Sequence, residues 1–138
     1  MSERKMKRAG ESYTTQVHML THEDLNGAGR LFGGRLMEWM DVVAAVTARR
    51  HGEHNVTTVK ATELVFSAPA YAGEVLQITG KMVAVGRTSM TVHVDVFVES
   101  LEGEHRRICQ ADFVEVALDD QERPTPVSGL MDEEEKTL

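Results

Sequence analysis

The chain has 138 residues, of which 41% are hydrophobic and 27% are charged, and its formal net charge is −7. This length predicts one domain, and the composition can form a core without disulfide bonds or a metal ion. The acidic balance argues against nucleic-acid binding, which needs a surplus of lysine and arginine, and no apolar stretch approaches the roughly 18 residues that cross a bilayer. The single cysteine, Cys109, suits a reducing compartment, so we expect a cytoplasmic protein that binds neither nucleic acid nor membrane.

Charge along the chain separates a central domain from its two ends. The first ten residues are basic, whereas the last twenty are acidic and contain two of the three prolines. Such composition is typical of solvated segments. The sequence therefore predicts a flexible basic tail at residues 1–11, one domain at residues 12–120, and an acidic, disordered tail at residues 121–138.

The first part of the domain has the patterns of one strand and one long helix. Residues 12–20 alternate in polarity, which predicts a strand with one face formed by Tyr13, Thr15, Val17 and Met19. After a glycine-rich connection, residues 34–51 have helical periodicity, and His51 followed by Gly52 provides a stop. The apolar stripe of this helix contains Leu36, Met40, Val43, Ala44 and Thr47.

The second part of the domain has the two-residue period of strands. It predicts strands at residues 56–66, 74–85, 90–98 and 107–118, joined by short turns. Short turns connect antiparallel neighbours, because a parallel crossover needs a dozen or more residues. The sequence thus predicts an α+β fold in which one antiparallel β-sheet wraps around a single long α-helix. The open edges of such a sheet also predict self-association.

Two features near the helix admit both a structural and a functional interpretation. The segment 27–33 has the spacing G-x-G-x-x-x-G, but a dinucleotide-binding domain needs repeated strand–helix alternation, which this pattern lacks. Asn26, directly before that segment, fits a tight turn that accommodates positive φ. Asp41 lies at the border of the apolar stripe, where a carboxylate is costly unless it is solvated or paired. Spacing alone favours a solvated Asp41.

Two further groups of polar residues have ordinary explanations. His18, His22, His51 and His54 lack the spacing of a metal motif, so the sequence predicts solvated surface histidines and no metal site. The segment Gly86-Arg87-Thr88-Ser89 joins two predicted strands and is compatible with a plain turn. It also combines a cation, two hydroxyls and flexible backbone, which suits a bound phosphate.

Taken together, these segments resemble the hotdog-fold acyl-CoA thioesterases of the bacterial short-chain acyl-CoA hydrolase type, which are kin to the cytosolic acyl-CoA hydrolases of animals. The resemblance rests on HEDLNGAGRLFGGRLMEWMD, GRTSMTVHVDVFVE and ADFVEVALDD, and it covers about residues 12–120. It implies the hotdog fold and hydrolysis of acyl-CoA. It implies no cofactor, since coenzyme A is part of the substrate.

The resemblance also implies which residues form the site. Asn26 and Asp41 match the catalytic pair of the family, with Asp41 as the general base or, as the second choice, the nucleophile. The backbone N–H groups of Gly33 and Gly34 would polarise the thioester oxygen. The turn at residues 86–89, which are Gly86, Arg87, Thr88 and Ser89, would contact the phosphates of coenzyme A.

The spacing along the helix predicts a site shared between subunits. Gly33 and Asp41 are eight residues apart, which is about 12 Å along a helix axis, so one helix cannot bring both to one carbonyl. A homodimer is then the minimal unit. The spacing is compatible both with a dimer alone and with a hexamer built as a trimer of dimers, and we expect the hexamer. Two alternatives remain: an acyl-CoA sensor without activity, although no DNA-binding helix pair is evident, and a hotdog dehydratase, although no histidine lies between Asn26 and Asp41.

Overall fold

A computed structural model describes residues 3–132 and contains one long helix, α1, at Gly33–Gly52. The helix extends one residue beyond the predicted range at each end. It stops where Glu53 adopts the left-handed conformation (φ 59°) and donates its N–H to the carbonyl of Arg49. The predicted apolar stripe is confirmed, because its five members are all buried: Leu36, Met40, Val43, Ala44 and Thr47.

Five of the strands form one antiparallel sheet around this helix. The strand bounds are Met6–Lys7 for β1, Thr14–Met19 for β2, Asn55–Ala61 for β3, Val75–Val85 for β4, Ser89–Glu99 for β5, His105–Leu118 for β6 and Gly129–Leu130 for β7. The five-stranded sheet has the order β2-β4-β5-β6-β3, with every neighbouring pair antiparallel. The predicted α+β architecture, one sheet wrapped around one helix in the hotdog manner, is confirmed.

Alternation along the strands places the core on the side of the sheet that carries α1. The clearest case is β5, where every second residue is buried as predicted: Met90, Val92, Val94, Val96 and Val98. Helix and sheet approach each other closely at Gly80 of β4. A Cβ atom at Gly80 would lie 2.5 Å from Oγ1 of Thr47 and 2.8 Å from a methyl carbon of Val43. Glycine at this position therefore allows α1 to settle against β4.

The strand predicted at residues 56–66 is wrong in its second half. Residues 62–66 lie outside β3, although Thr62 still donates its N–H to the carbonyl of Asp112. Val65 and Phe66, which gave this segment its strand-like pattern, are exposed at its end. These two apolar side chains do not pack in the core of this chain, and they form part of the surface beside the edge strand β3.

The prediction of two solvated tails is wrong for the parts that the structure describes. β1 pairs in parallel with β7, which joins the two ends of the chain. Ala9 and Val127 are buried in the same core as the helix. His51, predicted to be solvated, is fully buried, and its Nε2 lies 2.9 Å from the carbonyl oxygen of Ser128. Residues 1–2 and 133–138 of the predicted tails lie outside the described residues.

Both edges of the five-stranded sheet expose apolar side chains. The predicted shared face of β2 is confirmed in position, and its members Val17 and Met19 are 60% and 68% exposed. At the other edge, β3 pairs with β6 on one side only, and its Val59 is 57% exposed. Among residues 3–132, no helix is both long and apolar enough to cross a membrane.

Candidate active site

Asn26 lies in the loop between β2 and α1 and holds that loop together. Its Oδ1 accepts hydrogen bonds from the backbone N–H groups of Ala28 (2.9 Å) and Arg30 (3.2 Å). The expected tight turn is present, because Gly29 N–H donates to the carbonyl of Asn26 (3.1 Å), but its positive φ, 77°, belongs to Gly29 and not to Asn26 or Gly27. Asn26 is exposed, and its Nδ2 forms no hydrogen bond with the described residues. Two amide hydrogens are thus available to a ligand.

A first cleft, of about 420 Å³, opens beside Asn26. It continues past Arg30 and Ser67 to the start of α1 at Gly33, and its other walls are mainly apolar. A Cβ atom at Gly33 would meet the ring of Phe66 at 3.5 Å, so the glycine keeps this end of the cleft wide. The cleft therefore brings together two of the predicted site residues, Asn26 and Gly33.

The start of α1 presents backbone N–H groups without internal partners. The N-cap residue is Phe32, whose side chain cannot accept a hydrogen bond, and the first intrahelical bond is donated by Leu36 N–H to the carbonyl of Phe32. The N–H groups of Gly33 and Gly34 precede that bond, so they have no acceptor within the helix. Together with the positive end of the helix dipole, they can bind an oxyanion.

Asp41 lies two turns further along α1, in a second cleft of about 380 Å³. Gly34, Met37 and Phe113 also line this cleft. The Asp41 carboxylate is exposed, and its Oδ1 accepts a hydrogen bond of 2.6 Å from the Thr58 hydroxyl on β3. Asp41 is therefore open to solvent and, at the same time, held in one orientation.

Thr58 and Glu115 are polar residues that sequence reasoning missed. Oγ1 of Thr58 also lies 2.8 Å from Oε1 of Glu115 on β6, and Glu115 is fully buried. Burial raises the pKa of the Glu115 carboxyl to about 7; the bond with Thr58 opposes this rise, and the charge of Asp41 adds to it. An available signal was that Glu115 occupies an inward position of β6, between Phe113 and Ala117. The sequence contains no comparable signal for Thr58, because most residues of β3 are exposed.

A bulge in β3 lies next to Thr58. The register with β6 shifts between Thr58 and Lys60, so Val59 is an extra residue on this strand. Bulges bend a strand and change the direction of neighbouring side chains. The strand thus turns at the point where Thr58 meets Asp41.

The predicted site residues do not all meet within one chain. Asn26 and Gly33 line the first cleft, whereas Gly34 and Asp41 line the second. The rise of the helix alone separates Gly33 from Asp41 by about 12 Å. The two groups of residues therefore face different openings of this chain.

The turn at residues 86–89 connects β4 to β5 and is supported by both ends of the chain. The guanidinium group of Arg4 donates to the carbonyl of Gly86 (2.6 Å), and Val127 N–H donates to the carbonyl of Arg87 (2.9 Å). The Arg87 side chain itself is exposed and forms no ion pair with the part of the chain that the structure describes. A fixed turn with a free cation is compatible with phosphate binding.

This turn lies at the same level of the sheet as Thr58, the residue that contacts Asp41. Met90, directly after the turn, is opposite Glu115, and Glu115 is opposite Thr58. Two strand spacings, or about 10 Å, therefore separate Met90 from Thr58. A ligand of moderate length could contact both the turn and Asp41.

The remaining histidines do not form a metal centre. His18, predicted to be solvated, is half-buried and stacks on Trp39 with ring centroids 3.9 Å apart, and burial lowers its pKa. His22 is exposed, and His54 is partly exposed. Within residues 3–132, no group of three or more His, Cys, Asp or Glu side chains could hold a metal ion.

Comparison with known proteins decides the family. The sequence profile of the Thioesterase superfamily matches residues 28–104. This chain belongs to the thioesterase superfamily. Among the relatives of this superfamily member, the acyl-CoA thioester hydrolase YciA of Salmonella typhimurium is 32% identical over 112 residues, which are 77% of this chain and 84% of the relative.

Solved structures agree with this assignment. An acyl-CoA hydrolase of Staphylococcus aureus, with one asparagine changed to alanine and with coenzyme A bound, has a TM-score of 0.91 and 29% identity, covering 96% of this chain and 80% of that one. Other variants of that hydrolase have an aspartate or a threonine changed to alanine. An apo-hexameric acyl-CoA thioesterase has a TM-score of 0.90 and 30% identity, covering 96% and 85%. The family, fold and thioesterase class implied by the sequence are confirmed.

Proposed function

We propose that this chain hydrolyses acyl-CoA to a free fatty acid and coenzyme A at composite sites of a homodimer. The observation that carries the proposal is the arrangement of Asp41, an exposed carboxylate oriented by Thr58 in a cleft that does not contain Asn26. The buried Cys109 suits a cytoplasmic location for such an enzyme. The names of the relatives, acyl-CoA hydrolases and thioester hydrolases, support the substrate class.

Each residue has a defined part in the reaction. Asp41 removes a proton from water, which attacks the thioester carbonyl, and the oxygen of that carbonyl becomes negatively charged. The Nδ2 group of Asn26 and the N–H groups of Gly33 and Gly34 donate to this oxyanion. When the tetrahedral intermediate collapses, the C–S bond breaks, and the proton held by Asp41 passes to the thiolate of coenzyme A.

The choice of residue types agrees with one relative. The variants of the Staphylococcus aureus hydrolase change an asparagine, an aspartate or a threonine to alanine. Asn26, Asp41 and Thr58 are the residues of these three types that the present structure places beside its two clefts. This agreement supports Asn26 and Asp41 as the reacting residues and Thr58 as the residue that orients Asp41.

The exposed apolar surface supports a dimer in which two chains complete each site. β3 has one free edge, and the neighbouring surface exposes Phe32, Met37, Val65 and Phe66. Pairing of such an edge with a second copy would cover these side chains and satisfy unpaired backbone groups. Two antiparallel helices across a two-fold axis can place Asn26 and the N–H groups of Gly33 and Gly34 of one subunit opposite Asp41 of the other.

Higher assembly and recognition of the nucleotide follow from the same arrangement. A relative with 30% identity is named as hexameric, which supports a trimer of dimers for this chain. Gly86, Arg87, Thr88 and Ser89 would bind the phosphates of coenzyme A, because Arg87 is exposed and the turn ends at Met90, about 10 Å across the sheet from Thr58.

Complementation between two inactive variants tests the composite site. Asn26→Ala and Asp41→Ala proteins are mixed under conditions of subunit exchange, and release of free thiol from butyryl-CoA is measured. A mixed dimer has one site with both lesions and one intact site, so activity should rise toward about a quarter of wild type for random assortment. An acyl-CoA sensor or a dehydratase would release no thiol from this substrate even as the wild-type protein.

The matched control mixes Asp41→Ala with Asp41→Asn, because two lesions at one position cannot complement each other. Exchange is verified by native mass spectrometry of differently tagged subunits. Absence of recovery in the first mixture, despite proven exchange, would place both residues in the site of one subunit and contradict the composite geometry.

A further inference from the structure

Behind Asp41 lies a second carboxyl that the reaction as described above does not use. Glu115 is fully buried on the inward face of β6, and its Oε2 has no hydrogen-bond partner among the described residues. Its Oε1 lies 2.8 Å from Oγ1 of Thr58, and the same Oγ1 lies 2.6 Å from Oδ1 of Asp41. The three side chains thus form a row from the core to the open cleft.

The two short contacts of Thr58 need two hydrogen atoms, but the row contains only one when both carboxylates are ionised. A threonine hydroxyl carries one hydrogen, so it can donate to Asp41 or to Glu115 but not to both. With both carboxylates ionised, one of the two short oxygen–oxygen contacts would join lone pairs without a hydrogen. One carboxyl must therefore carry a proton and donate it to Oγ1 of Thr58.

The protonated member of the pair is Glu115. Asp41 is exposed to water, which stabilises its charge, whereas Glu115 is removed from water and has no cationic side chain bonded to it among residues 3–132. The charge of Asp41 acts in the same direction as burial and raises the pKa of Glu115, which is about 7. The row then runs in one direction, from the Glu115 carboxyl to the Thr58 hydroxyl and from that hydroxyl to the Asp41 carboxylate.

We propose that Glu115 is a positioning residue that, in its protonated form, directs the hydrogen of Thr58 onto Asp41 and so fixes the orientation of the catalytic base. The inference rests on the proposed role of Asp41 as that base. Glu115 transfers no proton during turnover; its proton stays between Oε1 and Oγ1 while Asp41 exchanges protons with water and thiolate.

Ionisation of Glu115 should disturb this alignment. Above its pKa, two carboxylates compete for one hydroxyl hydrogen, and Asp41 is released from its fixed orientation. The wild-type kcat should therefore contain a decline with a midpoint near the pKa of Glu115, about 7. The decline occurs as pH rises, since the protonated form is the aligned one.

The experiment compares kcat–pH profiles for saturating butyryl-CoA. Glu115→Gln keeps an N–H donor toward Thr58 at every pH, so its profile should lack the decline near the wild-type midpoint. Glu115→Met has similar volume and no donor, and its kcat should be about tenfold below that of Glu115→Gln at low pH, with KM unchanged. Glu102→Gln, in the exposed turn between β5 and β6, is the matched control and should reproduce the wild-type profile. An unchanged midpoint in Glu115→Gln overturns the inference.

Infrared spectroscopy provides a second measurement that does not depend on activity. The protonated carboxyl of Glu115 should give a C=O band below the wild-type midpoint that disappears above it. Thr58→Val removes the acceptor of this proton and should move the band to higher frequency. The comparison of wild type with Thr58→Val still tests the proposal if Glu115→Gln does not fold. Absence of the band, or a band that Thr58→Val leaves unmoved, contradicts the proton placement.

The outcomes also distinguish this inference from the proposed function. If Asp41→Asn retains wild-type kcat, Asp41 is not the base and the proposed function fails, whatever the infrared band shows. If Asp41→Asn is inactive while Glu115→Gln keeps the wild-type midpoint, the base assignment stands and Glu115 has no positioning role.

Discussion

The proposed site has a loop side, formed by Asn26 and its own loop, and a strand side, formed by Asp41 of α1 with Thr58 of β3 and Glu115 of β6. The two sides fix their polar side chains by different partners. Asn26 is fixed by backbone N–H groups of its own loop, so its oxygen is occupied and its nitrogen is free. Asp41 is fixed by the side chain of Thr58, which in turn contacts the buried Glu115. The Asn26 amide has no titratable proton, whereas the contact through Thr58 involves Glu115, whose pKa is raised by burial to about 7. Dependence on pH should therefore arise on the strand side.

Removal of the base should have the largest effect. Asp41→Asn keeps the shape of the side chain but abolishes its ability to accept a proton, so kcat should fall by about 10²–10⁴. The variant should retain its fold, because Asp41 is exposed and contributes no core contact. Steady-state thiol release from butyryl-CoA measures the effect, and circular dichroism checks the fold. A folded variant with near-normal kcat would remove Asp41 from the mechanism.

The role of Asn26 can be tested by replacing its amide nitrogen while its amide oxygen is kept. Asn26→Asp keeps the oxygen that accepts from Ala28 and Arg30 but removes the amide donors. Loss of one oxyanion donor typically lowers kcat by about 10²–10³, and KM should change little. Asn26→Ala removes the loop bonds as well, so it should lower thermal stability in addition to kcat. Full activity of Asn26→Asp would mean that Asn26 serves the loop alone.

A smaller effect is expected at the turn, which belongs to neither side of the comparison. Arg87→Ala should raise KM for butyryl-CoA by about tenfold through the loss of one charged contact. A butyryl thioester of pantetheine lacks the nucleotide, so its KM should stay unchanged. Arg106→Ala, an exposed arginine on β6, is the control. Equal changes for both thioesters would mean that Arg87 supports the fold and not the phosphates.

Periodicity predicts the parts of this fold that depend on local pattern. The stripe of α1 and the alternation of β5 are buried as expected, because one buried face imposes its period on the sequence. The pairing of β1 with β7 joins residues more than 120 positions apart, and no local composition reports such a contact. The charged composition of the two ends therefore predicts solvated tails where the structure has a pair of strands.

Prediction of the site followed a similar division. The local pattern alone favoured a solvated Asp41 and a turn residue at Asn26, and only the resemblance to the acyl-CoA thioesterases selected the two as a catalytic pair. Thr58 could not be selected, since an exposed threonine on an edge strand resembles any other surface residue. Glu115 interrupts the inward set of β6 with a charge, and strict application of the two-residue period would have identified it.

The buried carboxyl of Glu115 also links protonation to folding. Folding raises its pKa from 4.5 to about 7, so between these values the folded chain binds more protons than the unfolded chain. The contribution of this group to the free energy of unfolding is therefore complete below pH 4.5 and is lost as pH rises through about 7. The loss approaches about 3 kcal/mol, a considerable part of the roughly 5–15 kcal/mol that stabilises a domain. The carboxyl that orders the proposed base thus gives up its contribution to the stability of the fold as pH rises from 4.5 to about 7.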